Sequence, residues 1–311
     1  MHGKLLARII AGIALALVFT GTRAKAQNPS EKNQLISPFA TPPLSLSLAT
    51  TFESDLLSGG FKSFPGQQNN TDNSNDGAKS HDYREISDFF NVREANVNTV
   101  AGEWELELEG EWVTGNGGDD DFDFTPNLKF GLNDDMFIEV EVLPLRIGDG
   151  SDQGNGDFAV QLFDQFSRET ERYPAVAAWI EGRFPTGEGS SGVDGELHLN
   201  LTKTLVPDVR GHLEGFAKTA NGGRGDEDNN RRAFQWGAGI GVDYQMDART
   251  ICTVNYVNRS NEEYGASNQQ VIEVGGVRQI AEDQHIKVAV DVGLNEDTPD
   301  FGAKILWSIE W

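Results

Sequence analysis

The chain has 311 residues, 38% of them hydrophobic, with a formal net charge of −24 and a single cysteine, Cys252. So large an acidic excess excludes nucleic acid and anionic lipid headgroups as partners, because both need basic patches. A lone cysteine excludes an intrachain disulfide and a Cys/His zinc site.

Residues 1–26 read as a secretory signal peptide: Lys4 and Arg8 form a basic start, Ile9 to Phe19 an apolar run, and Ala24-Lys25-Ala26 a small-x-small cleavage site. The apolar run is too short to span a membrane as a helix. Loss of Lys4, Arg8, Arg23 and Lys25 with this segment takes the net charge from −24 to −28. No cysteine stands at the cleavage site, which argues against a lipoprotein anchor. Residues 27–98 form an irregular, partly disordered N-terminal extension. It holds a Pro- and Ser-rich patch, SPFATPPLSLSLATTF, and a polar run at 67–80, QQNNTDNSNDGAKS. That run buries too little apolar area to offset chain entropy. Leu44 to Leu57 is apolar enough to dock, Ile86 to Val92 is predicted as a short helix, and the whole extension reads as a loose leader.

From residue 99 the pattern changes. In AGEWELELEGEWV (101–113), Glu103, Glu105, Glu107, Glu109 and Glu111 alternate with Trp104, Leu106, Leu108 and Trp112. Successive strand side chains point to opposite faces, so this is a strand with one apolar and one acidic face. Similar segments follow, giving twelve in all: 100–113, 122–132, 135–147, 157–167, 173–184, 194–204, 208–218, 233–246, 249–259, 269–281, 285–294 and 301–311. The links alternate too. Odd-to-even links are mostly long and rich in Gly, Asp and Asn, such as GNGGDDD at 115–121 and TANGGRGDEDNNRR at 219–232, whereas even-to-odd links such as Asn133-Asp134 and Val206-Pro207 are mostly tight.

An even number of antiparallel amphipathic strands, with long links at one end and short turns at the other, predicts an all-β fold: an antiparallel transmembrane β-barrel spanning residues 99–311. Closure removes every sheet edge, as lipid requires. The last segment, FGAKILWSIEW, puts Phe301, Ala303, Ile305, Trp307, Ile309 and Trp311 on one face. It resembles the terminal strand signal by which such barrels are recognised by the assembly machinery. The expected location is therefore the Gram-negative outer membrane, with its lipid as a partner.

With the apolar faces in lipid, the polar faces line the lumen. The pore-lining candidates are Glu103, Glu105, Glu107, Glu109, Glu111, Lys129, Glu139, Glu141, Glu181, Arg183, Arg210, His212, Glu214 and Lys304. Adjacent carboxylates on one strand face sit roughly 7 Å apart and repel by about 0.6 kcal/mol in bulk-like water. That is tolerable in a wet lumen and prohibitive in a dry one, and Lys129 and Lys304 are placed to relieve it. The inward phase of the ninth and tenth segments is ambiguous.

GEWELELEGEW at 102–112, PNLKFGLNDDMFIEVEV at 126–142, GDGSDQGNGDFAVQLF at 148–163 and PAVAAWIEGRFPTGEG at 174–189 carry a family likeness. Over roughly 102–311 the chain resembles the outer-membrane proteins labelled putative MetA-pathway of phenol degradation, a transporter-like family. The resemblance implies a barrel of about twelve strands that passes small, often aromatic, compounds. The extension at 27–98 departs from that pattern.

The expected function is a channel or transporter for small solutes, with a cation preference from the acidic lumen or a path for aromatic compounds. The rival is a barrel with a closed lumen serving a structural or surface-binding role. No catalytic residue, cofactor or metal ligand is assigned. His198 and His212 have polar neighbours but no serine two residues away, which disfavours a barrel lipase. The Asp119–Asp123 and Asp149–Asp157 stretches offer oxygen ligands for calcium without the spacing of an EF-hand.

Overall fold

The computed structural model describes residues 85–114, 120–142, 144–148, 154–187, 190–220 and 232–311. The expected signal peptide, residues 27–84 of the extension, and the acidic stretches 115–119 and 149–153 lie outside the described residues.

Fourteen strands follow one another in chain order: β1 Trp104–Thr114, β2 Asp120–Asn133, β3 Met136–Glu141, β4 Leu145–Gly148, β5 Gly154–Asn155, β6 Phe158–Ser167 and β7 Ala175–Phe184. They continue with β8 Asp194–Val206, β9 Val209–Thr219, β10 Phe234–Asp247, β11 Thr250–Arg259, β12 Gln269–Ala281, β13 Gln284–Gly293 and β14 Phe301–Glu310. All pairings are antiparallel, and β1 pairs with both β2 and β14, which closes the sheet. The seam runs to the end of the chain, where the backbones of Trp104 and Trp311 exchange hydrogen bonds of 3.1 and 2.9 Å.

β3 and β4 both pair with β2, and they pair in turn with β6 and β5. β3 with β4, and β5 with β6, are each one interrupted strand, so the barrel has the expected twelve. The interruption differs from the continuous segment expected at 135–147; the segment expected at 157–167 is the continuous β6, which β5 extends on its N-terminal side. The cause of the interruption is proline: Pro126 on β2 and Pro144 beside it lack the N–H that a ladder needs. Their carbonyls are used instead, by Val142 N–H at 2.9 Å and Gly156 N–H at 2.5 Å.

The first strand also begins later than expected. Residues 100–103 form a turn in which Gly102 has φ +85° and the Glu103 carboxylate accepts the Val100 N–H at 2.7 Å. Five register irregularities, on β2, β6, β8, β10 and β12, all lie beside the short turns. Bulges there raise the local twist as strands enter a tight connection.

The pleat sorts side chains as the alternation predicts. Trp104 and Trp112, both 39% exposed, stand at the two ends of the outer face of β1, against Phe130 and Phe301. Leu199, Leu213, Ile240, Val288 and Ile305 continue an exposed apolar belt around the barrel. So much contiguous apolar surface marks a partner such as lipid.

The interior is where the fold departs most from expectation. Residues 85–98 are packed inside the barrel as a re-entrant loop, a plug, rather than trailing as a leader. Both its ends lie at the short-turn end, and Asn91 reaches up to Glu273 on β12 and Asp291 on β13. The loop closes on itself where Ile86 N–H donates to the Glu94 carboxylate at 2.7 Å and Glu94 N–H donates to the Ile86 carbonyl at 2.9 Å. The helix expected over Ile86 to Val92 is absent; the segment consists of turns and bends. The barrel wall supplies the acceptors that a helix would have supplied. Asn91 N–H donates to Glu273 at 2.9 Å, Arg93 N–H to Glu214 at 2.8 Å and Ala95 N–H to the Thr202 hydroxyl at 2.7 Å.

Apolar contacts complete the docking. Ile86, Phe89 and Phe90 pack on Ile251, Val277, Ala289 and Leu306, and Ala95 packs with Phe137, Phe163, Ala175, Ala177 and Trp179. This resolves the ambiguous phase of the ninth and tenth segments: Ile251 and Val277 point inward and pack on the plug, and Val257 and Val271 are buried on the same faces. The inner wall also needs glycine. A Cβ on Gly239 would meet Val92 Cγ2 at 2.6 Å, and one on Gly275 would meet Phe90 Cε1 at 2.7 Å.

Candidate functional site

The lumen has two tiers separated by the plug. In the lower tier, toward the short turns, charges are buried and matched. Lys129, 2% exposed, lies 2.8 Å from Glu107, 3.7 Å from Glu139, 3.8 Å from Asp88 and 3.9 Å from Glu105. Lys287 donates to Glu85 at 2.7 Å, the Ser87 hydroxyl at 2.9 Å and Glu107 at 2.9 Å. Lys304 pairs with Glu273 at 2.6 Å and donates to the Phe89 carbonyl at 2.8 Å. Arg210 bridges Glu94 of the plug, at 2.5 Å, and Asp243 of β10. Burial alone would raise the Glu85 carboxyl, but the Lys287 and Lys129 ammonium groups outweigh it and hold it at about 2. Asp88 is likewise depressed, its burial outweighed by Arg93, Lys129 and Lys287.

Arg93 is the pivot of the plug. Its guanidinium lies 4.4 Å from the Phe163 ring centroid and 5.1 Å from that of Phe137, and 3.6 Å from Asp88. Cation–π contacts of this kind gain from desolvation.

The upper tier, toward the long links, is a cavity of about 320 Å³ whose floor is Asp88, Phe90, Asn91 and Arg93 of the plug. Its wall carries Glu109, Glu139, Glu141, Glu181, Glu196 and Glu214, against Arg259 and His198. Arg183 bridges Glu141 and Glu181 at 2.8 and 2.9 Å. His198 sits between Glu214 and Glu196, at 2.5 and 2.6 Å, and its ring is stacked between Trp179 and Phe216.

All but one of the pore-lining candidates stand on the inner face of the strands. Glu105, Glu107, Lys129, Arg210, His212 and Lys304 meet in or beside the lower tier, and Glu109, Glu139, Glu141, Glu181 and Glu214 line the cavity. Arg183 reaches the cavity through its two glutamates, and Glu111 continues the inner face of β1 above Glu109. Glu103 is the exception, held in the turn before β1. Lys304 stands across from Glu111 on β14, where its charge offsets the upper part of the β1 ladder as expected, and it also pairs with Glu273; Lys287, which was not expected there, does the same at Glu107. Plug residues Glu85, Asp88, Arg93 and Glu94 were missed as lumen groups. The glycines on the inner face of β10 were the available signal, since bare wall implies something packed against it.

Thr202, His212 and Asp243 line up as hydroxyl, imidazole and carboxylate, at 3.0 and 3.1 Å. The Thr202 oxygen is fully buried and accepts the Ala95 N–H, so this row anchors the plug. Two groups could in principle hold a cation. Around Asp88, Glu107 and Glu139 the Lys129 ammonium already fills the centre. Glu85, Glu105, His285 and Glu310 place ligand atoms within 4.8 Å of one another, with Lys287 2.7 Å from Glu85.

No protein-family model matches the sequence, and no curated protein matches it. Among solved structures, the COG4313 outer membrane channel from Pseudomonas putida F1 superposes with a TM-score of 0.52 and 14% identity, over 69% of this chain and 97% of that one. The KdgM porin, in complex with disordered oligogalacturonate, gives 0.46 and 7% over 67% and 98%, and the NanC porin 0.46 and 10% over 66% and 98%. The likeness is one of fold, and with the closed sheet and its apolar belt it makes this chain an outer-membrane-type, twelve-stranded transmembrane β-barrel.

Proposed function

We propose that this barrel is an outer-membrane channel for small solutes with a preference for cations. The observation that carries the reading is the upper tier, where the wall of a solute-sized cavity presents six glutamates, with Asp88 of the plug below them. Even with Arg93, His198 and Arg259 in it the lining is predominantly acidic, and a cleft with one predominant sign of charge concentrates counter-ions and disfavours co-ions. Likeness in fold to an outer membrane channel and the sequence resemblance to a transporter-like family support it. Export through the signal peptide and insertion by the assembly machinery, guided by the strand that ends in Trp311, belong to the same reading.

The test is a planar bilayer with purified barrel in a potassium chloride gradient. The expected reversal potential favours potassium. One favouring chloride, or no conductance from folded protein, overturns the proposal.

The plug favours a second reading, a barrel with a closed lumen and a structural or binding role. Deletion of residues 85–98 separates the two. If conductance appears only in the deletion variant, the intact barrel is closed; if both conduct, the plug narrows the path without sealing it.

A further inference from the structure

Glu109 and Arg259 stand apart from the other charged groups that line the upper cavity, because neither has an ion-pair partner among the described residues. Glu139 has Lys129 at 3.7 Å, Glu141 and Glu181 have Arg183, and Glu196 and Glu214 have His198. The Arg259 guanidinium donates its Nε–H to the Gln269 side-chain oxygen at 2.7 Å, which leaves its two terminal nitrogens unspent. Both side chains are half-buried and keep surface open to the lumen. Glu109 lies midway along β1 and Arg259 is the last residue of β11, at the long-link end, so they line one cavity without reaching each other. Two opposite charges held apart in a half-desolvated cleft each attract a counter-charge more strongly than they would in bulk water.

The chemistry of these groups selects the solute. A guanidinium with both terminal nitrogens available matches a carboxylate, which takes both in a fork. Glu109 calls for a cation. A second cation is called for farther round the wall, where Glu141 and Glu181 share the single guanidinium of Arg183. Half-buried Phe216 adds an apolar patch for a methylene stem.

The geometry points to a binding site for a small basic amino acid, with one carboxylate and two ammonium groups. The carboxylate lies on Arg259, toward the long links, and the ammonium groups lie toward Glu109 and toward the Glu141 and Glu181 pair. A cavity of about 320 Å³ is at the small end of ligand sites, which suits a molecule of about ten heavy atoms. This rests on the reading of the lumen as a solute path, and it names a solute class for that path.

Calorimetric titration of the full chain, refolded in detergent micelles, with L-lysine as the probe tests the site. A mobility shift on boiling verifies folding of each variant. L-lysine is expected to bind saturably at one site. Cadaverine, which lacks the carboxylate, and L-norleucine, which lacks the second ammonium, are each expected to bind at least about tenfold more weakly. Arg259→Gln is expected to bring L-lysine down to the level of cadaverine, and Glu109→Gln to weaken it at least about tenfold. If either variant fails to fold, the comparison of the three solutes on the unaltered chain carries the test. Cadaverine or L-norleucine binding as tightly as L-lysine, or unchanged L-lysine affinity in the folded variants, overturns the site. Binding in micelles needs no conductance. A barrel that binds L-lysine but passes no current overturns only the channel reading, and one that conducts but does not bind L-lysine overturns only this inference.

Discussion

Glu107 and Glu109 are neighbours on the same face of β1, yet they belong to different environments. Glu107, 1% exposed, has Lys129 at 2.8 Å and Lys287 at 2.9 Å. Glu109, half-buried, faces the cavity. The lower tier thus uses its glutamates to hold the plug, with cations brought from β2 and β13. The upper tier keeps an excess of them for whatever enters. The same residue type, two positions apart, is structural in one tier and available in the other. What separates them is the level at which the plug stops.

That contrast can be broken from below. Lys129→Met leaves Asp88, Glu105, Glu107 and Glu139 around an uncharged side chain. Removing one partner of a buried charge cluster costs about 3–5 kcal/mol, read as a lower urea midpoint for unfolding of the refolded barrel. Arg183→Met in the upper tier, where the guanidinium side chain is 31% exposed, is expected to cost about 1 kcal/mol or less in the same assay. Equal losses would erase the distinction between the tiers.

Acid is the next lever. Docking holds Glu85 at about 2, below its ordinary 4.5, so its contribution is fully present above the ordinary value and is lost as pH falls through about 2. Asp88 is depressed too and acts in the same direction. Conductance or protease access to residues 85–98 is expected to rise between pH 5 and pH 2, at about the acidities named by these shifts. A plug equally protected at both would show that these carboxylates do not hold it.

Packing gives a smaller effect. Gly239→Ala pushes a methyl against Val92, and overpacking of this kind costs about 1–3 kcal/mol. The expected readout is faster cleavage within the plug with the barrel still heat-modifiable. The smallest effect expected is at a turn. Asp208 has φ +68°, and Asp208→Gly is expected to raise the unfolding free energy by about 1 kcal/mol or less, read as a slightly higher urea midpoint.

Much of the barrel was legible in the sequence. Twelve segments of period two, with tight links such as 207–208 alternating with long ones, define an antiparallel closed sheet, because the strand repeat fixes which face each side chain takes. The inward set on β1, β2, β3, β7, β9 and β14 followed from the same rule. Pro126 and Pro144, which lie at the break between β3 and β4, were visible as prolines, but whether each lies within a ladder depends on register between strands.

The plug was not legible, for a physical reason. EISDFFNVREA (85–95) carries no repeat of its own, and its backbone is satisfied by side chains more than 100 positions away, such as Glu214 and Glu273. Local pattern carries no trace of such partners. The acidic ladder was read as a wet wall with Lys129 of the neighbouring strand beside it; only closure of the barrel brings Lys287 of β13 to it as well. By itself the sequence determined the sheet, its faces and its charge, all set by nearest-neighbour geometry. The tertiary structure alone decided where that charge is spent and where it is kept, since that depends on which segment fills the lumen.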